Sequence, residues 1–586
     1  MANNPLTKKV KSHGDALCIC ILLVMVIASW IPRLRGPVDL RWDAGVYYVL
    51  GTSLAEGKGY RLLNEPGEIL AVQYPPGLPA LVAVEQIALH SSNPVIVGRW
   101  IRTSWCLLSV GYILCAFLLG RLFLPRLYAF LLAAACLLNY EMYFISTLCF
   151  AELPYAFSST FFGYLYYKKS SGVLSRVLTP LCAVASFLMR SIGLALLIAW
   201  VLDAALRKQY RHMLVRGIIA FVPVIFWQSY IHAVEAGDHY RHPYYSYQRD
   251  ASMFYNVSYA RNVALKAPFQ PEQGLATKRD VVNRFIENFV RMPHYLGEAV
   301  SAKEGFWKGH VTRVNGWIRP FVLPSWVSEI ALVYLGLIVV AGIAWLLWRR
   351  EWFIPLYVSL SLSGICMTTW SGQFPRYLAP AQPFLLIGML YFLLDFRNLS
   401  RFWRPRLHRI VSIMATATAS IVLAESLISC IVGYRNFRDP AVYVDANGIT
   451  RKYVLFHYPG AASASEKGLK WLVAHADRHA VVAVSMPQWV YLKTGLKAVM
   501  PPLDADPFRA QREIDTVPAT YVVLDQLLME DAFNRRFPAL VRNSPDKWQL
   551  VYPTPNGEFD IYRRVDSNSN TKLASVQPIG TGSLRF

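Results

Sequence analysis

The sequence predicts a membrane all-α protein, a bundle of about eleven transmembrane helices followed by a smaller α/β domain. Three observations lead to this fold class. Of the 586 residues, 54% are hydrophobic and only 16% are charged, which is too apolar a composition for soluble domains. Apolar runs of about 20 residues, the length that crosses a bilayer, recur along the first 433 positions. After them the apolar runs shorten to strand length.

The predicted spans take up most of the first 433 residues. They cover 16–34, 103–122, 127–146, 150–167, 177–189, 192–206, 214–233, 327–348, 352–371, 377–395 and 409–433. Because Arg190 interrupts the stretch 177–206 and both of its ends are basic, we expect a short hairpin that turns at Arg190. The run 77–90 is shorter and begins with prolines, so we expect a helix at the membrane interface rather than a span.

Clusters of Lys and Arg lie at alternate connections between the spans, and such clusters face the cytoplasm. The N-terminal group of Lys8, Lys9 and Lys11 is one of them. We therefore expect a multi-pass protein of the cell inner (plasma) membrane with a cytoplasmic N-terminus. Outer loops are predicted at 35–102 and 234–326. Because the net charge of +22 is distributed over such loops, no nucleic-acid partner is expected.

Residues 434–586 are predicted to form an extracytoplasmic α/β domain. Its expected strands are 480–485, 497–500, 521–525, 548–552 and 560–563, and its expected helices lie near 465–476, 507–514 and 527–540. The segment has no glycine-rich phosphate loop, no nucleophile elbow and no metal-ligand cluster. We expect it to pack against the membrane part or to cover the substrate rather than to perform chemistry.

Acidic residues at the predicted outer ends of spans are candidates for catalysis. Asp43 in RWDAGVYYVLG lies at the membrane surface with Tyr47 one turn later, so it is a candidate general base; the alternative is an N-cap. Glu152 in FAELPYAF is a second candidate, because carboxylates at the bilayer edge are costly unless paired or hydrated. Its alternative is a favourable position at a helix N-terminus. Glu141 in LNYEMYF competes with Glu152 for the role of second acid.

Two arginines on the same predicted side are candidates for substrate binding. Arg190 stands in FLMRSIG and Arg376 in SGQFPRYLAPAQPF. The planar fork of a guanidinium suits a phosphate, although arginines at span ends also serve as interfacial anchors. Arg33, Arg35 and Arg41 add positive charge on that side. A cationic patch beside acids is what a lipid-phosphate substrate requires.

The order of these motifs resembles the GT-C membrane glycosyltransferases, in particular the branch of protein O-mannosyltransferases, the lipid A aminoarabinose transferase and the RgtA/B/C/D-like enzymes. Many members carry two adjacent acids in the first loop, whereas Ala44 follows Asp43 here. The matching elements are Asp43 before a Tyr-rich helix, Gln73-Tyr74-Pro75-Pro76-Gly77-Leu78, Glu152-Leu153-Pro154, Met189-Arg190 and Pro375-Arg376-Tyr377-Leu378-Ala379-Pro380.

The resemblance implies a hexosyl- or pentosyltransferase that moves a sugar from a polyprenyl-phosphate carrier to a lipid, glycan or protein acceptor at the outer face of the membrane. It implies Asp43 as the base and Glu152 as a second site acid. It implies that Arg190 and Arg376 hold the carrier phosphate, in a substrate site that includes Tyr47 and Tyr74. No cofactor is expected. No residue pattern indicates a divalent cation, and the sequence leaves that requirement open.

The alternative function is a transporter or flippase of a lipid-linked or anionic substrate. Such proteins typically show paired repeats, broken helices and acids near the bilayer midplane. Here the predicted spans are nearly free of acids and the candidate residues cluster at one face, which favours chemistry at the membrane surface. A non-catalytic scaffold with the same fold is a third interpretation. Neither the sugar, the acceptor nor the oligomeric state follows from the sequence.

Overall fold

The computed structural model describes residues 12–34, 36, 38–168, 172–317, 323–402, 405–436, 440–444, 450–454, 460–528 and 530–565. Of the predicted basic positions, Lys8, Lys9, Lys11 and Arg35 lie outside these ranges. Up to residue 436 the regular secondary structure of the described residues is helical. In chain order its α-helices are α1 Ser12–Leu34, α2 Asp43–Ala55, α3 Gly77–Ala88, α4 Pro94–Phe123, α5 Arg126–Leu138, α6 Tyr140–Ile145, α7 Glu152–Lys168, α8 Val173–Met189, α9 Leu194–Leu206, α10 Tyr210–Ala236, α11 Asp238–Arg241, α12 Tyr259–Val263, α13 Lys278–Val300, α14 Glu304–Trp317, α15 Trp326–Trp348, α16 Phe353–Cys366, α17 Phe374–Leu378, α18 Gln382–Leu399 and α19 Pro405–Asn436.

Every predicted span overlaps one or more of these helices, and the predicted interfacial run 77–90 contains α3. Within the described part of the chain, six helical segments are long and apolar enough to cross a membrane: His13–Leu34, Pro94–Phe123, Tyr210–Ala236, Trp326–Trp348, Ser371–Phe402 and Pro405–Gly433. Shorter apolar helices are Gly77–Ala88, Arg126–Leu138, Val173–Met189, Ser191–Leu206 and Phe353–Cys366. The predicted all-α membrane bundle is therefore confirmed.

The predicted span 127–146 is not one continuous helix. It is divided at Asn139, whose backbone is extended. The Asn139 side chain accepts a hydrogen bond from the Met142 amide at 2.9 Å and donates one to the Ala299 carbonyl at 3.2 Å. Because this side chain begins a new helix, the prediction of a single helix is wrong here.

The predicted break at Arg190 is confirmed. Helix α8 ends at Met189, and Arg190 has extended backbone angles, with φ −147° and ψ 137°. A short 3-10 helix, Ser191–Gly193, then leads into α9. The amide of Gly193 donates to the Arg190 carbonyl at 2.8 Å, so this turn holds Arg190 between two helix ends.

Ion pairs tie helices together at the end of the bundle opposite the start of α7. Asp203 is fully buried, accepts hydrogen bonds from Tyr166 and from Arg207 at 2.9 Å, and pairs with Arg216. These contacts join α7, α9 and α10. Buried charges require such partners, so this network stabilises the bundle rather than forming a free site.

The C-terminal part forms an α/β domain, and its five predicted strands are confirmed with small shifts at their ends. The elements are β1 Pro440–Val444, β2 Thr450–Val454, α20 Gly460–His475, β3 Val481–Ala483, α21 Pro487–Thr494, β4 Lys497–Val499, α22 Pro507–Ile514, β5 Ala519–Asp525, α23 Phe537–Arg542, β6 Trp548–Tyr552 and β7 Phe559–Arg564. Helix α21 and the antiparallel pair β1–β2 were not predicted. The order in the main sheet is β4-β3-β5-β7-β6; β4 and β3 are parallel, as are β3 and β5, and the remaining pairs are antiparallel.

This domain docks on the first loop through its edge strand β4. Backbone and side chain of Asn64 bond to Ala498 at 2.8 and 3.0 Å, and Lys497 pairs with Glu68 at 2.8 Å. These bonds cover a strand edge that would otherwise be open. The domain also contacts the large loop, because the Tyr247 hydroxyl donates to the Met500 carbonyl at 3.1 Å.

The first loop and the large loop are joined by a buried carboxyl group. Glu65 accepts hydrogen bonds from Tyr245 at 2.8 Å and Gln248 at 3.0 Å. Burial raises the pKa of Glu65 above its ordinary value, and these hydrogen bonds only partly offset that rise. Both loops and the C-terminal domain thus form one block over the end of the bundle where α2 and α7 begin.

Candidate active site

Four predicted site residues from four chain segments meet in one ion-pair cluster. The Arg376 Nη2 group donates to Asp43 Oδ2 at 2.7 Å, and its Nε group donates to Glu152 Oε1. Arg190 pairs with the same oxygen of Glu152. The two acids open α2 and α7, while the arginines lie in α17 and in the turn after α8. We call this group the Asp43–Arg376–Glu152–Arg190 cluster.

Both predicted tyrosines adjoin this cluster. The Tyr74 hydroxyl donates to Asp43 Oδ1 at 3.0 Å, and the rings of Tyr47 and Tyr74 lie 4.8 Å apart. Glu141, the competing second acid, instead pairs with Lys303 at 2.6 Å. The structure therefore brings Tyr47 and Tyr74 to the four charged residues and places Glu152, not Glu141, on the arginines.

Asp43 does not act as an N-cap. The N-cap of α2 is Trp42, which makes no side-chain capping bond, and both oxygens of Asp43 are directed to Tyr74 and Arg376. The N-cap interpretation is therefore wrong, because Asp43 is already within the helix and its carboxylate accepts from Tyr74 and Arg376.

The backbone directly before Asp43 is strained and firmly anchored. Trp42 has φ 54° and ψ −137°, a region that costs a residue with a side chain about 1–3 kcal/mol. Asp39 and Arg41 form a buried ion pair at 2.6 Å just before it. The Asp39 carbonyl also accepts a hydrogen bond from the Cys149 amide, three residues before Glu152. Sequence reasoning missed this anchor, whose only signal is one Asp two positions before one Arg.

The remaining predicted basic positions serve other contacts. Arg33 lies over the rings of Trp30 and Tyr143 and donates to Ser146 Oγ at 2.7 Å. Arg41 is held by Asp39. These arginines are therefore parts of the packing around the first loop, and the structure does not bring them into the cluster.

The motif Gln73–Leu78 connects Tyr74 to the turn at Arg190. A Cβ atom added to Gly77 would lie 2.6 Å from the Leu188 carbonyl oxygen, closer than such atoms approach. The start of α3 therefore packs directly on the backbone that precedes Arg190. Gln73 anchors the other end of the motif, because its amide donates to Asn262 at 3.0 Å.

The four charged side chains differ in their access to solvent. Glu152 is fully buried, whereas 18% of the Asp43 side chain, 14% of Arg376 and 16% of Arg190 are exposed. Each carboxylate oxygen has two lone pairs, so Asp43 can accept another hydrogen bond besides those from Tyr74 and Arg376. Asp43 and the arginines are thus open to a ligand, and Glu152 is closed to it.

A small cavity adjoins the cluster on the side of α16 and α18. It is lined mainly by apolar side chains, together with the hydroxyls of Tyr155 and Tyr357, which lie 2.8 Å apart. Tyr377, which follows Arg376, and Ile192, in the turn after Arg190, also line it. The Arg190 guanidinium lies 5.4 Å from the Tyr377 ring, so this apolar space begins close to Arg190.

The described ranges contain no group of three or more His, Cys, Asp or Glu residues that could hold a metal ion. The ligands within reach of the cluster are the two carboxylates, and both already bind guanidinium groups. A divalent-cation requirement is left to experiment.

The architecture is similar to that of the oligosaccharyltransferase AglB from Archaeoglobus fulgidus. Its apo form gives a TM-score of 0.52 at 12% identity over 95% of this chain and 75% of that chain. Its complex with an inhibitory peptide and a dolichol-phosphate gives 0.51 at 12% identity over 96% and 75%. The chain has the GT-C fold. The predicted GT-C-like membrane architecture is thereby confirmed, and the protein is a multi-pass membrane protein.

Other comparisons add less to this assignment of the GT-C fold. ArnT from Cupriavidus metallidurans, solved with undecaprenyl phosphate, gives a TM-score of 0.41 at 12% identity over 95% of this chain and 99% of that chain. No model of a protein family and no curated protein matches the sequence. At these identities the likeness establishes the fold, and the site's own geometry has to support the function.

Proposed function

We propose that this protein is a glycosyltransferase that moves a hexose or pentose from a polyprenyl-phosphate carrier to a hydroxyl of a lipid, glycan or protein acceptor at the outer face of the inner membrane. The Asp43–Arg376–Glu152–Arg190 cluster carries the proposal, because it combines a partly exposed acid with two guanidinium groups, close to an apolar cavity. The AglB complex with a dolichol-phosphate supports a lipid-linked phosphate for this fold.

In this proposal the two arginines bind the carrier phosphate. A guanidinium has five N–H donors, and Arg376 directs only its Nε and Nη2 groups to the acids. Among the described residues none accepts a hydrogen bond from its remaining donors, so these can bind phosphate oxygens, with which arginines form strong charge-assisted hydrogen bonds. We expect the first carbons of the carrier to enter the apolar cavity close to Arg190.

Glu152 acts as a positioning residue in this site. One of its oxygens contacts both guanidinium groups, and the side chain is fully buried. Two cations held side by side repel each other, and an intervening carboxylate removes most of that repulsion. Glu152 therefore keeps the arginines together without touching the substrate.

Asp43 is the general base of the proposed reaction. Its carboxylate takes the proton of the acceptor hydroxyl while that oxygen bonds to the anomeric carbon of the sugar. The bond between the anomeric carbon and the phosphate oxygen breaks at the same time, and polyprenyl phosphate leaves with one additional negative charge. Tyr74 orients the base by donating to its other oxygen at 3.0 Å.

Proton transfer to Asp43 makes the net charge of the cluster more positive. With Asp43 ionised, the two carboxylates balance the two guanidinium groups. Once Asp43 is protonated, only Glu152 opposes the two arginines, so one positive charge is uncompensated. That charge arises when the leaving phosphate gains its extra negative charge, which is the timing that stabilises a transition state.

The proposal predicts that Asp43→Asn lowers transfer by about 1,000-fold, the scale of a lost general base. The rate is measured in proteoliposomes that contain radiolabelled polyprenyl-phosphate hexoses or pentoses. Membranes of a deletion strain supply the acceptor. Each assay is run with and without a chelator of divalent cations. The control is Glu56→Gln, an exposed acid of the same loop that pairs only with Lys58. Wild-type turnover in folded Asp43→Asn protein would exclude Asp43 as the base.

A further inference from the structure

Helix α13 in the large loop 234–326 exposes apolar side chains that the proposed reaction does not use. It is 23 residues long and begins with a capping box, in which Thr277 and Asp280 bond to each other's backbone amides. The helix is therefore a well-defined element of the loop. Its surface falls into three sectors.

The three sectors follow from the turn of about 100° per residue in an α-helix. Asn288, Met292 and Leu296 form a buried sector against the protein. A polar, exposed sector is made of Asn283, Glu287 and Arg291. Between them is an apolar sector that is also exposed, with exposed fractions of 55% for Val282, 53% for Ile286, 60% for Phe289 and 71% for Val290. We call this last sector the apolar stripe.

The apolar stripe continues a contact with a membrane span. At the spacing of three and four residues, Pro293 and Gly297 follow the stripe on the same side of α13. Both pack on the backbone of α15. A Cβ atom added to Gly297 would clash with the Leu332 carbonyl oxygen of α15, and one added to Gly336 of α15 would clash with the Pro293 carbonyl oxygen. Helix α15 is long and apolar enough to cross the membrane. The stripe therefore lies beside a spanning helix, on the same side of α13 as the contact with it.

The depth of the apolar stripe relative to the bilayer follows from its contact with the end of α16, another apolar helix. The Asn288 amide donates to the carbonyls of Cys366, the last residue of α16, and Thr368, at 2.9 and 3.2 Å. Phe289 and Val290 follow Asn288 directly. They therefore lie where an apolar helix ends and the chain turns into a loop, which is where a bilayer changes from acyl chains to headgroups.

Helix α13 also holds the segment that leads to Arg376. Besides the bonds of Asn288, the ring of Tyr295 packs on the ring of Phe374 at 5.0 Å. Phe374 is fully buried and lies two residues before Arg376. A displacement of α13 therefore displaces the start of α17, which carries Arg376.

We propose that α13 lies in the lipid–water interface, with the apolar stripe inserted among the lipids, and that this insertion keeps Arg376 in place. A lipid surface is the occupant that fits a helix with protein on one side, water on another and a spanning helix continuing its apolar side. A second copy of the chain is the competing occupant, and the test distinguishes the two. The link to Arg376 rests on the proposed function.

Spin labels on Phe289→Cys and Glu287→Cys, in protein reconstituted into phosphatidylcholine and phosphatidylglycerol vesicles, test the lipid contact. The two positions are neighbours along α13 but lie about 160° apart around it. Labelled unsubstituted protein, with its nine native cysteines, provides the background to subtract. We expect the label at 289 to be reached several-fold more by oxygen than by a water-soluble nickel chelate, and the label at 287 to show the reverse. Equal access of the nickel chelate at both positions would overturn the proposal. Spin–spin broadening at 289 that grows with the protein-to-lipid ratio would assign the stripe to a second copy and overturn it too.

The link to Arg376 has its own readout. Phe289→Asp should lower transfer in vesicles on the order of 10-fold through displacement of the phosphate-binding arginine, whereas the control Glu287→Asp, which presents the same carboxylate on the polar sector, should leave it unchanged. Unchanged transfer in Phe289→Asp protein would overturn the link while the label result stands. Failure of the Asp43→Asn prediction would overturn the proposed function and leave the label result untouched, so the two failures are distinguishable.

Discussion

A single carboxylate oxygen of Glu152 binds two guanidinium groups, and no part of that side chain reaches solvent. Removing a buried charge from such a cluster leaves its partners uncompensated, which is costly because the arginines are only slightly exposed. Asp43, in contrast, has open lone pairs and some contact with solvent. The two acids of the proposed site therefore have different roles. Glu152 positions the arginines, and Asp43 takes a proton.

Glu152→Gln should lower the free energy of unfolding by about 3 kcal/mol, the scale of a broken buried ion pair. The residual transfer of Glu152→Gln protein should still depend on Asp43, so that adding Asp43→Asn lowers it further. Thermal unfolding in detergent and the transfer rates of the single and double variants measure both effects. Glu141→Gln, which removes the pair with Lys303, serves as the control and should retain the wild-type rate. A double variant no slower than Glu152→Gln alone would contradict the role of Asp43 as the base.

At the scale of elements, the start of α3 and the turn after α8 behave as one unit. They touch through backbone at Gly77 and Leu188, and they carry Tyr74 and Arg190 toward the cluster. Close backbone contact leaves no room for a side chain, so the glycine in the motif Gln73–Leu78 is a packing requirement. The motif therefore acts by bringing two elements together.

Gly77→Ala should destabilise the protein by about 1–3 kcal/mol and lower transfer, because its Cβ atom would push α3 away from the turn at Arg190. Gly217→Ala is the matched control, since nothing lies within 4 Å of the added carbon in α10. That variant should be as stable as the wild type or more so. Equal unfolding temperatures for the two variants would contradict the packing argument.

At the scale of the molecule, the loops and the C-terminal domain gather at one end of the bundle, and the ion-pair network around Asp203 lies at the other. The edge strand β4 pairs with the first loop at Asn64, and the large loop reaches the domain through Tyr247. The proposed site lies under this block. In the proposed reaction the acceptor therefore approaches from the side of the C-terminal domain, which loop charge predicts to face outward.

A membrane-impermeant thiol reagent should label Asp506→Cys in intact cells, because the proposed topology places the C-terminal domain outside. Asp506 is exposed in the loop before α22. Lys208→Cys, exposed in the basic connection after α9, is the control and should be labelled only after permeabilisation. The reverse pattern would invert the topology, and the reaction would then face the cytoplasm.

Helices were predictable because hydropathy and charge are local properties of the chain. The same local signal failed at Asn139, where a distant carbonyl of Ala299 engages the side chain and helps to end one helix and begin the next. Local hydropathy also failed to predict α21. This helix begins at Pro487, only four residues after β3 ends at Ala483, and the apolar character of the chain continues from one to the other. The buried pair of Asp39 and Arg41 was missed since nothing in the sequence marks those residues as buried.

The sequence by itself determined a polytopic bundle, a C-terminal α/β domain and the six candidate residues Asp43, Tyr47, Tyr74, Glu152, Arg190 and Arg376. Only the tertiary structure decided that Glu152 rather than Glu141 binds the arginines, and that Asp43 is not a helix cap. The physical reason is distance along the chain. Asp43 and Arg376 are 333 positions apart, so their ion pair depends on how α2, α7 and α17 pack and not on any local pattern.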